Sequence, residues 1–435
     1  MQKKYLGLPV GILGFGRSGR AATDFLLDRG AVLTVYDGRE PNEALRASYE
    51  RRGVRFAVGA FPWRFPERLL VRSPVIRPDH PAIVASLAAG AVLTGETELF
   101  FEHCRAHIIG VTGSDGKTTT ANLIALLLRG AGHTVYLGGN NGTPLLPKAE
   151  QMKATDFAVL ELSSFQLMTL ARSPEVAVIT NISPNHLDWH CDMAEYVDAK
   201  CRIFACGAKR LVLGASLRGR CANESVPTSV FAATKDAFTV TDGEQVRRYP
   251  IPSTFALAGQ HNRENLAAAY AAVQNEVPFQ TVAAALKGFR GVPHRLQYVD
   301  TVAGVRYYNS SIDTSPSRTA AALTALDGKP IVLAGGKGKG VSFAPLKEAF
   351  GKGARAAVLY GDAAREIEAA VEGAVPTHRF DDFRAAFYAA AHMARAGDTV
   401  LLSPACTAFD QFRDFEQRGE VFCALVRELR EQESI

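Results

Sequence analysis

The run "VTGSDGKTTT", residues 111–120, gathers glycines, a lysine and hydroxyls into one short stretch. The apolar "HIIG" precedes it and the amphipathic "ANLIALLL" follows it, so it reads as strand, glycine turn and helix. That order builds an anion site. Backbone N–H groups of the turn and of the helix N-terminus surround phosphate oxygens, and the helix dipole adds to the attraction. Lys117 can neutralise the outer phosphates, and the Thr118 hydroxyl can reach Mg²⁺. Gly113, Ser114, Asp115, Gly116, Lys117, Thr118 and Thr119 are therefore expected to bind ATP. The strict pattern places a glycine where Val111 stands, so the match is to the shorter Gly113-x-x-Gly116-Lys117-Thr118 form.

Functional groups in α/β proteins gather at the carboxyl ends of strands. "VLELSSFQL" puts Glu161 at such an end, and "VITNISPNHLDWH" does the same for His186. A buried carboxylate needs a partner or a metal, and Mg²⁺ on nucleotide phosphates would supply one. His186 and His190 stand four apart, but Leu187 occupies the position where a zinc protease carries glutamate, so that pattern fails. By themselves, His186 reads more readily as a hydrogen-bonded structural histidine, and His190 as packing or surface. Lys200, in "YVDAKCRIF", reads as an ordinary helical lysine.

A second glycine turn, "GILGFGRSGR", holds Gly14-x-Gly16-x-x-Gly19, and the apolar run "AVLTVYD" ends in Asp37. This is the order of a dinucleotide site, with the acid placed for ribose hydroxyls. A nicotinamide-dependent oxidoreductase is thus a rival, but it leaves the loop at 113 and the Glu161–His186 pair unexplained.

Strand-like runs alternate with helical patterns throughout, which predicts α/β layers and parallel sheets. The expected architecture is three α/β domains: a Rossmann-like unit over 1–93, a central ATPase-like parallel sheet over 94–297, and a Rossmann-like unit over 298–435. A 435-residue chain is long enough for two or three domains. The composition, 47% hydrophobic and 21% charged with net charge +5, fits a globular enzyme, and no basic run argues for nucleic acid. The longest apolar stretches are too short to span a bilayer, and the two lysines before the first apolar run read as the lead into a buried strand rather than a signal peptide. Seven dispersed cysteines without a CxxC pair suggest reduced thiols in the cytoplasm.

The segments "GSDGKTTT", "LELSSFQL", "NISPNHLD" with Lys200, "GQHNRENLAAA", "GVPHRLQ" and "LLSPACTAFDQFRDFEQRG" occur in the order found in Mur ligases, and the chain resembles that family over its whole length. The closing segment is most similar to the branch that joins D-glutamate to UDP-N-acetylmuramoyl-L-alanine in peptidoglycan synthesis. The resemblance implies an ATP-driven amide ligase that works through an acyl phosphate, probing no membrane or nucleic acid and acting as a monomer. It implies that Thr118 and Glu161 bind one Mg²⁺ and His186 a second, with Lys200 carbamylated and bearing on that metal site. Lys117, Glu161, His186 and Lys200 become the catalytic set. Asn262, Asn265 and Arg295 are implied to contact ATP. Gly14, Gly16, Arg17, Ser18, Asp37, Gly38, Arg39 and Ser73 are implied to hold the UDP end, with Asn140, Ser163 and Gln166 nearer the muramoyl-alanine. Thr314, Lys339, Thr407 and Phe415 are implied to hold D-glutamate.

Three positions depart from the family pattern: Ser310 where an acid is common, Ala408 where a serine is common, and Val75 where a glycine is common. Asp313 is a candidate replacement for the missing acid, and Thr407 or a backbone N–H for the missing hydroxyl. A related amide ligase, a folylpolyglutamate synthetase or a Mur ligase adding another amino acid, is a second rival, and the folate enzyme is disfavoured because about a hundred residues precede the ATP loop. A non-enzymatic ATP switch is a third, and it has no use for the residues assigned to D-glutamate.

Overall fold

The computed structural model describes residues 4–140, 142–221, 225–257, 259–326 and 328–433, so Lys3 of the N-terminal lysine pair lies outside the described residues. Among these, strands form three sheets. The first contains β1 (Pro9–Leu13), β2 (Val32–Asp37), β3 (Arg55–Val58), β4 (Leu69–Arg72) and β5 (Val92–Thr94), in the order β3-β2-β1-β4-β5. All its pairings are parallel. The order reverses between β1 and β4, which opens a crevice at their carboxyl ends.

The second sheet contains β6 (His107–Thr112), β7 (Val135–Gly139), β8 (Phe157–Glu161), β9 (Val176–Ile179), β10 (Arg210–Gly214), β11 (Thr228–Ala233), β12 (Ala237–Asp242) and β13 (Gln245–Pro250). Its order is β13-β12-β11-β10-β9-β6-β8-β7. The sheet is parallel from β7 to β11, and β12 and β13 extend it antiparallel. The turn Gly243 at φ 59 lets the chain double back directly, so no crossover helix is needed. Gln245 to Arg248 of β13 are exposed, as an edge strand can be.

The third sheet contains β14 (Gln297–Val302), β15 (Val305–Asn309), β16 (Ile331–Gly335), β17 (Ala356–Tyr360), β18 (Thr377–Phe380) and β19 (Thr399–Ala405), ordered β14-β15-β19-β16-β17-β18. Only β14 runs antiparallel to its neighbour. Both faces are covered: Ile331 and Leu333 of β16 join one apolar cluster, while Val332 and Ala334 join another.

By compactness the chain falls into two units, Met1–Thr254 with Gln260–Lys287, and Phe255–Gly259 with Gly288–Ile435. The first two sheets share a unit because one apolar cluster runs from Val10 and Ile12 of β1 through Leu99 and Phe100 to Leu160 of β8. Strand β5 extends past residue 93, and β14 begins at Gln297, so neither expected domain border coincides with an element end. Arg72 and Arg77 of the first sheet region add polar ties to the second. Arg72 is 4% exposed and donates to the Phe165 carbonyl at 2.8 Å and to Thr169 Oγ1 at 3.1 Å. No helix among the described residues is long and apolar enough to cross a membrane.

Candidate active site

The phosphate loop leaves β6 at Gly113, whose φ of 148° suits only glycine. A Cβ there would also run into Thr180 Oγ1. Gly116, at φ 79°, ends the turn and starts the helix Lys117–Gly130, which has no side-chain cap. Its first N–H groups are thus left for an anion. The loop is clamped from β9: Thr180 Oγ1 donates to the Asp115 carbonyl at 2.6 Å, and Asn181 Oδ1 accepts the Asp115 N–H at 2.9 Å. Ser114 Oγ lies 2.9 Å from Tyr196 Oη and accepts the Ser183 N–H at 2.9 Å. Sequence reasoning passed over Thr180, Asn181 and Tyr196; the polar "TN" directly after an apolar strand was the available signal.

Lys117 Nζ donates to the carbonyls of Gly113 and Ser114, both at 2.8 Å, and so sits within its own loop. Thr118 Oγ1 donates to Glu161 Oε2 at 2.7 Å, while Asn140 Nδ2 donates to Oε1 at 3.0 Å. Three residues from three segments therefore meet at the end of β8. Lys200, 1% exposed, donates to the Gly113 carbonyl at 2.8 Å and lies 4.6 Å from the Tyr196 ring centre. Burial, and then the Lys117 charge, pull its pKa down to about 7. The unremarkable helical lysine of the sequence is thus a buried amine against the phosphate loop.

His186 is exposed, with a backbone φ of 55°, and its ring packs 5.0 Å from Phe165. Burial of part of its ring and the Lys117 charge lower its pKa, which favours the neutral imidazole. Among the described residues, no three His, Cys, Asp or Glu side chains gather as a ready metal cage. Thr118 and Glu161 offer a hydroxyl and a carboxylate, a donor pair suited to Mg²⁺ that keeps waters and phosphate oxygens as its other ligands. An unmodified Lys200 amine donates a hydrogen bond and does not fit a metal.

Asn265 is 5% exposed and lies beneath the loop, where Thr120 Oγ1 donates to its Oδ1 at 3.3 Å and its Nδ2 reaches Asn262 Oδ1 at 3.3 Å. Thr119 is partly exposed on the same helix turn. Ser163 and Gln166 are mutually engaged: Ser163 Oγ accepts the Gln166 N–H and Gln166 Oε1 accepts the Ser163 N–H, a capping box for the helix Ser164–Leu167. The Gln166 amide also donates to Thr97 Oγ1 at 3.1 Å. The "SSFQ" spacing carried this cap signal, and sequence reasoning did not use it.

At the first sheet, Gly14 and Ser73 meet across the β1–β4 crevice, where a Cβ on Gly14 would lie 2.8 Å from that of Ser73. Gly16 opens the helix Arg17–Leu27, which again lacks a side-chain cap. Asp37 serves the turn itself: Oδ2 accepts the Phe15 N–H at 2.7 Å and Oδ1 the Arg39 N–H at 2.9 Å. Gly38 and Arg39 are exposed beside it, Ser18 is partly buried, and Arg17 Nη1 lies 3.4 Å from the Gly142 carbonyl.

In the second unit, Lys339 Nζ donates to Thr314 Oγ1 at 2.9 Å, so two residues assigned to one pocket are together. Thr407 is turned inward: its N–H and hydroxyl both go to the Lys337 carbonyl, at 3.0 and 2.8 Å. It therefore does not offer a free hydroxyl in place of one at Ala408. Phe415 is partly exposed, with its carbonyl accepting from Ser311 Oγ at 2.7 Å. Arg418, wholly buried, donates to Ser311 Oγ and to the carbonyls of Ser311, Cys406 and Thr407, tying the loops after β15 and β19 together. Asp313, 7% exposed, accepts from Ser403 Oγ at 2.9 Å, and burial raises its pKa to about 6. It faces the hydroxyls of its own unit. Arg295 is exposed in this unit.

A loop-and-helix phosphate cradle beside a Thr–Glu pair and a buried lysine defines a nucleotide-using α/β protein. Residues 111–273 match the Mur ligase middle domain, and residues 294–406 match the Mur ligase glutamate ligase domain. The chain belongs to the Mur ligase family. It is 38% identical to the UDP-N-acetylmuramoylalanine–D-glutamate ligase of Ruminiclostridium cellulolyticum, over 97% of this chain and 97% of that protein. It is 36% identical to the ligase of the same name from Clostridium tetani, over 97% and 96%. The fold is shared with the UDP-N-acetylmuramate–alanine ligase of Thermotoga maritima, at 17% identity and a TM-score of 0.56 over 97% of this chain and 99% of that one. It is also shared with E. coli FolC bound to ADP, at 17% identity and a TM-score of 0.56 over 77% and 93%.

Proposed function

We propose that this chain is an ATP-dependent ligase that joins D-glutamate to UDP-N-acetylmuramoyl-L-alanine, a step of peptidoglycan synthesis in the cytoplasm. Similarity to D-glutamate ligases over nearly the full length carries the substrate assignment. The convergence of Lys117, the Thr118–Glu161 pair and Lys200 on one loop supports the chemistry.

In this reading the muramoyl-alanine carboxylate attacks the γ-phosphorus and ADP leaves. The D-glutamate amine then attacks the acyl carbon, and inorganic phosphate departs. Two anions must approach for the first step, so cations are needed between them. Lys117 supplies one from within the loop, and the uncapped helix start adds its dipole. Thr118 and Glu161, with Asn140 orienting the carboxylate, would hold Mg²⁺, which supplies further positive charge to the phosphate oxygens. His186 would serve a second Mg²⁺. Lys200 would do so after carbamylation, in which its nitrogen bonds to the carbon of CO₂ and loses a proton, replacing an amine with a carboxylate.

Asn262 and Asn265, beside the loop, would bear on ATP together with Arg295. The Gly14–Gly16 turn, set by Asp37, would take the diphosphate of the UDP substrate, with Arg17, Ser18, Gly38, Arg39 and Ser73 around it. Ser163 and Gln166 would act by fixing the turn after β8. Lys339 and Thr314 would receive the D-glutamate side-chain carboxylate, with Phe415 lining the pocket and Thr407 shaping it from behind. The protein would work as a monomer without nucleic acid.

Phosphate release measured with each substrate omitted in turn tests the assignment. Release is expected only with ATP, UDP-N-acetylmuramoyl-L-alanine and D-glutamate together. Stimulation by another amino acid and not by D-glutamate would make the substrate assignment wrong.

A further inference from the structure

Away from the phosphate loop, one chain of polar contacts joins the first sheet to the turn after β8. Arg77, in the loop following β4, grips Glu195 with two nitrogens, Nη2 to Oε1 at 2.8 Å and Nη1 to Oε2 at 3.1 Å. Asp79 holds the same guanidinium from the other side, and Nη1 also donates to the Trp189 carbonyl at 2.7 Å. Glu195 Oε2 accepts the Cys191 N–H at 2.9 Å and lies 3.1 Å from His190 Nδ1. Across the ring, His190 Nε2 lies 2.9 Å from Ser164 Oγ.

The protons in this chain can be assigned. The hydrogen bonds from Arg77 hold the Glu195 carboxyl down at about 2, so it is ionised and can only accept. His190 Nδ1 must then carry the hydrogen. In that Nδ1–H tautomer the neutral ring keeps a lone pair on Nε2, and the Ser164 hydroxyl, 2.9 Å away, donates to it. Because His190 is 2% exposed, these bonds run through a medium of low polarity that strengthens them.

His190 also supports His186 directly. Its N–H donates to the His186 carbonyl at 2.9 Å, closing the turn that keeps His186 at φ 55°. A non-glycine residue holds such a conformation only when its surroundings over-determine it. Phe165 completes the support, with ring centres 5.0 Å from His186 and 5.6 Å from His190.

We propose that His190, aligned by Arg77 and Glu195, is a positioning residue for the reaction centre. It fixes the Ser164 turn next to Glu161 and the backbone of His186, and it ties both to the loop after β4 on the UDP-substrate side. What the centre catalyses rests on the ligase reading above; the hydrogen-bond order does not.

Two readouts test it on the full-length protein. Nitrogen-15 NMR of labelled histidine is expected to find His190 as the Nδ1–H tautomer, and Glu195→Leu, which removes the acceptor, is expected to shift the population toward Nε2–H. An Nε2–H tautomer in the unaltered protein overturns the relay. In the phosphate-release assay, Glu195→Gln is expected to lower kcat by roughly 10- to 100-fold with the KM for ATP unchanged. Arg77→Lys, which keeps the charge without the two-pronged grip, is expected to give a smaller loss. Adding Ser164→Ala to Glu195→Gln should cost little more, since both act through one hydrogen-bond chain. Unchanged kcat in Glu195→Gln, or losses that simply add, overturns the positioning role. Phosphate release independent of D-glutamate would sink the ligase reading instead, and the NMR result would still decide the relay.

Discussion

Single residues show what the Gly14–Gly19 turn is for more clearly than its pattern does. A Cβ on Gly19 would strike the Gly14 carbonyl, so that glycine is needed for packing, whereas a Cβ on Gly16 meets nothing within 4 Å. Gly16→Ala therefore adds a methyl that meets no protein atom and intrudes only on a ligand. The expected outcome is a KM for the UDP substrate raised by about tenfold or more, from roughly 1.4 kcal/mol of lost binding, with the KM for ATP unchanged. An equal rise in both would place the turn elsewhere in the mechanism. Lys200 gives a second test at this scale. Lys200→Ala is expected to abolish turnover, and mass analysis under conditions that preserve carbamates should find the Lys200 peptide heavier by one CO₂. Full activity in the variant, or an unmodified lysine in active enzyme, would rule out the carbamate. Lys117 and Glu161 stand out as residue types at a glycine turn and a strand end, whereas Lys200 reads as an ordinary lysine because its place against Gly113 exists only once the helix Met193–Ala205 packs on the loop. The roles of Thr180 and Asn181 were not legible either, since a clamp on Asp115 exists only once β9 lies beside β6.

Among the elements, the helix Glu96–His103 carries an acid at a costly place. Glu96 is 6% exposed, accepts the Leu146 N–H at 3.1 Å, and has its pKa raised by burial to about 7. A raised carboxyl pKa means the folded state holds the proton more tightly than the unfolded chain. Stability from this group is then full below about pH 4.5 and falls as pH rises toward 7, by at most about 3 kcal/mol. Glu96→Gln keeps an acceptor for Leu146 without the charge. Its melting temperature is expected to match the parent near pH 4.5 and to exceed it above pH 7. A constant difference across that range would mean that Glu96 does not titrate in it. The alternation of strands and helices was readable from periodicity, but the place of β12 and β13 in the sheet was not. "FTVTDGEQVRRYP" carries a hairpin signal in its Asp-Gly turn between alternating residues, but what the hairpin pairs with, β11, is fixed only by the fold.

For the whole molecule, two sheets expected to lie in separate domains share one compact unit. Nothing local to residues 70–80 announces this, because Arg72 finds the carbonyl of Phe165 93 positions away. Removing that buried donor strands several carbonyls, so Arg72→Met is expected to cost about 2–3 kcal/mol. In calorimetry the loss should lower the transition of the unit containing both sheets as one event. Separate melting of the two sheets in the unaltered protein would contradict their cooperation. The antiparallel extension of the second sheet has a further consequence at this scale. A long sheet ending in a bare strand invites another chain to add itself by backbone pairing. Here the outermost strand presents Arg247 and Arg248 to solvent and closes with Pro250, which has no N–H to offer. An incoming strand would have to displace Arg247 from Asp242 and Gln245, bury the charge of Arg248 and meet a missing donor. The hairpin thus makes this end of the sheet a poor template for a further strand.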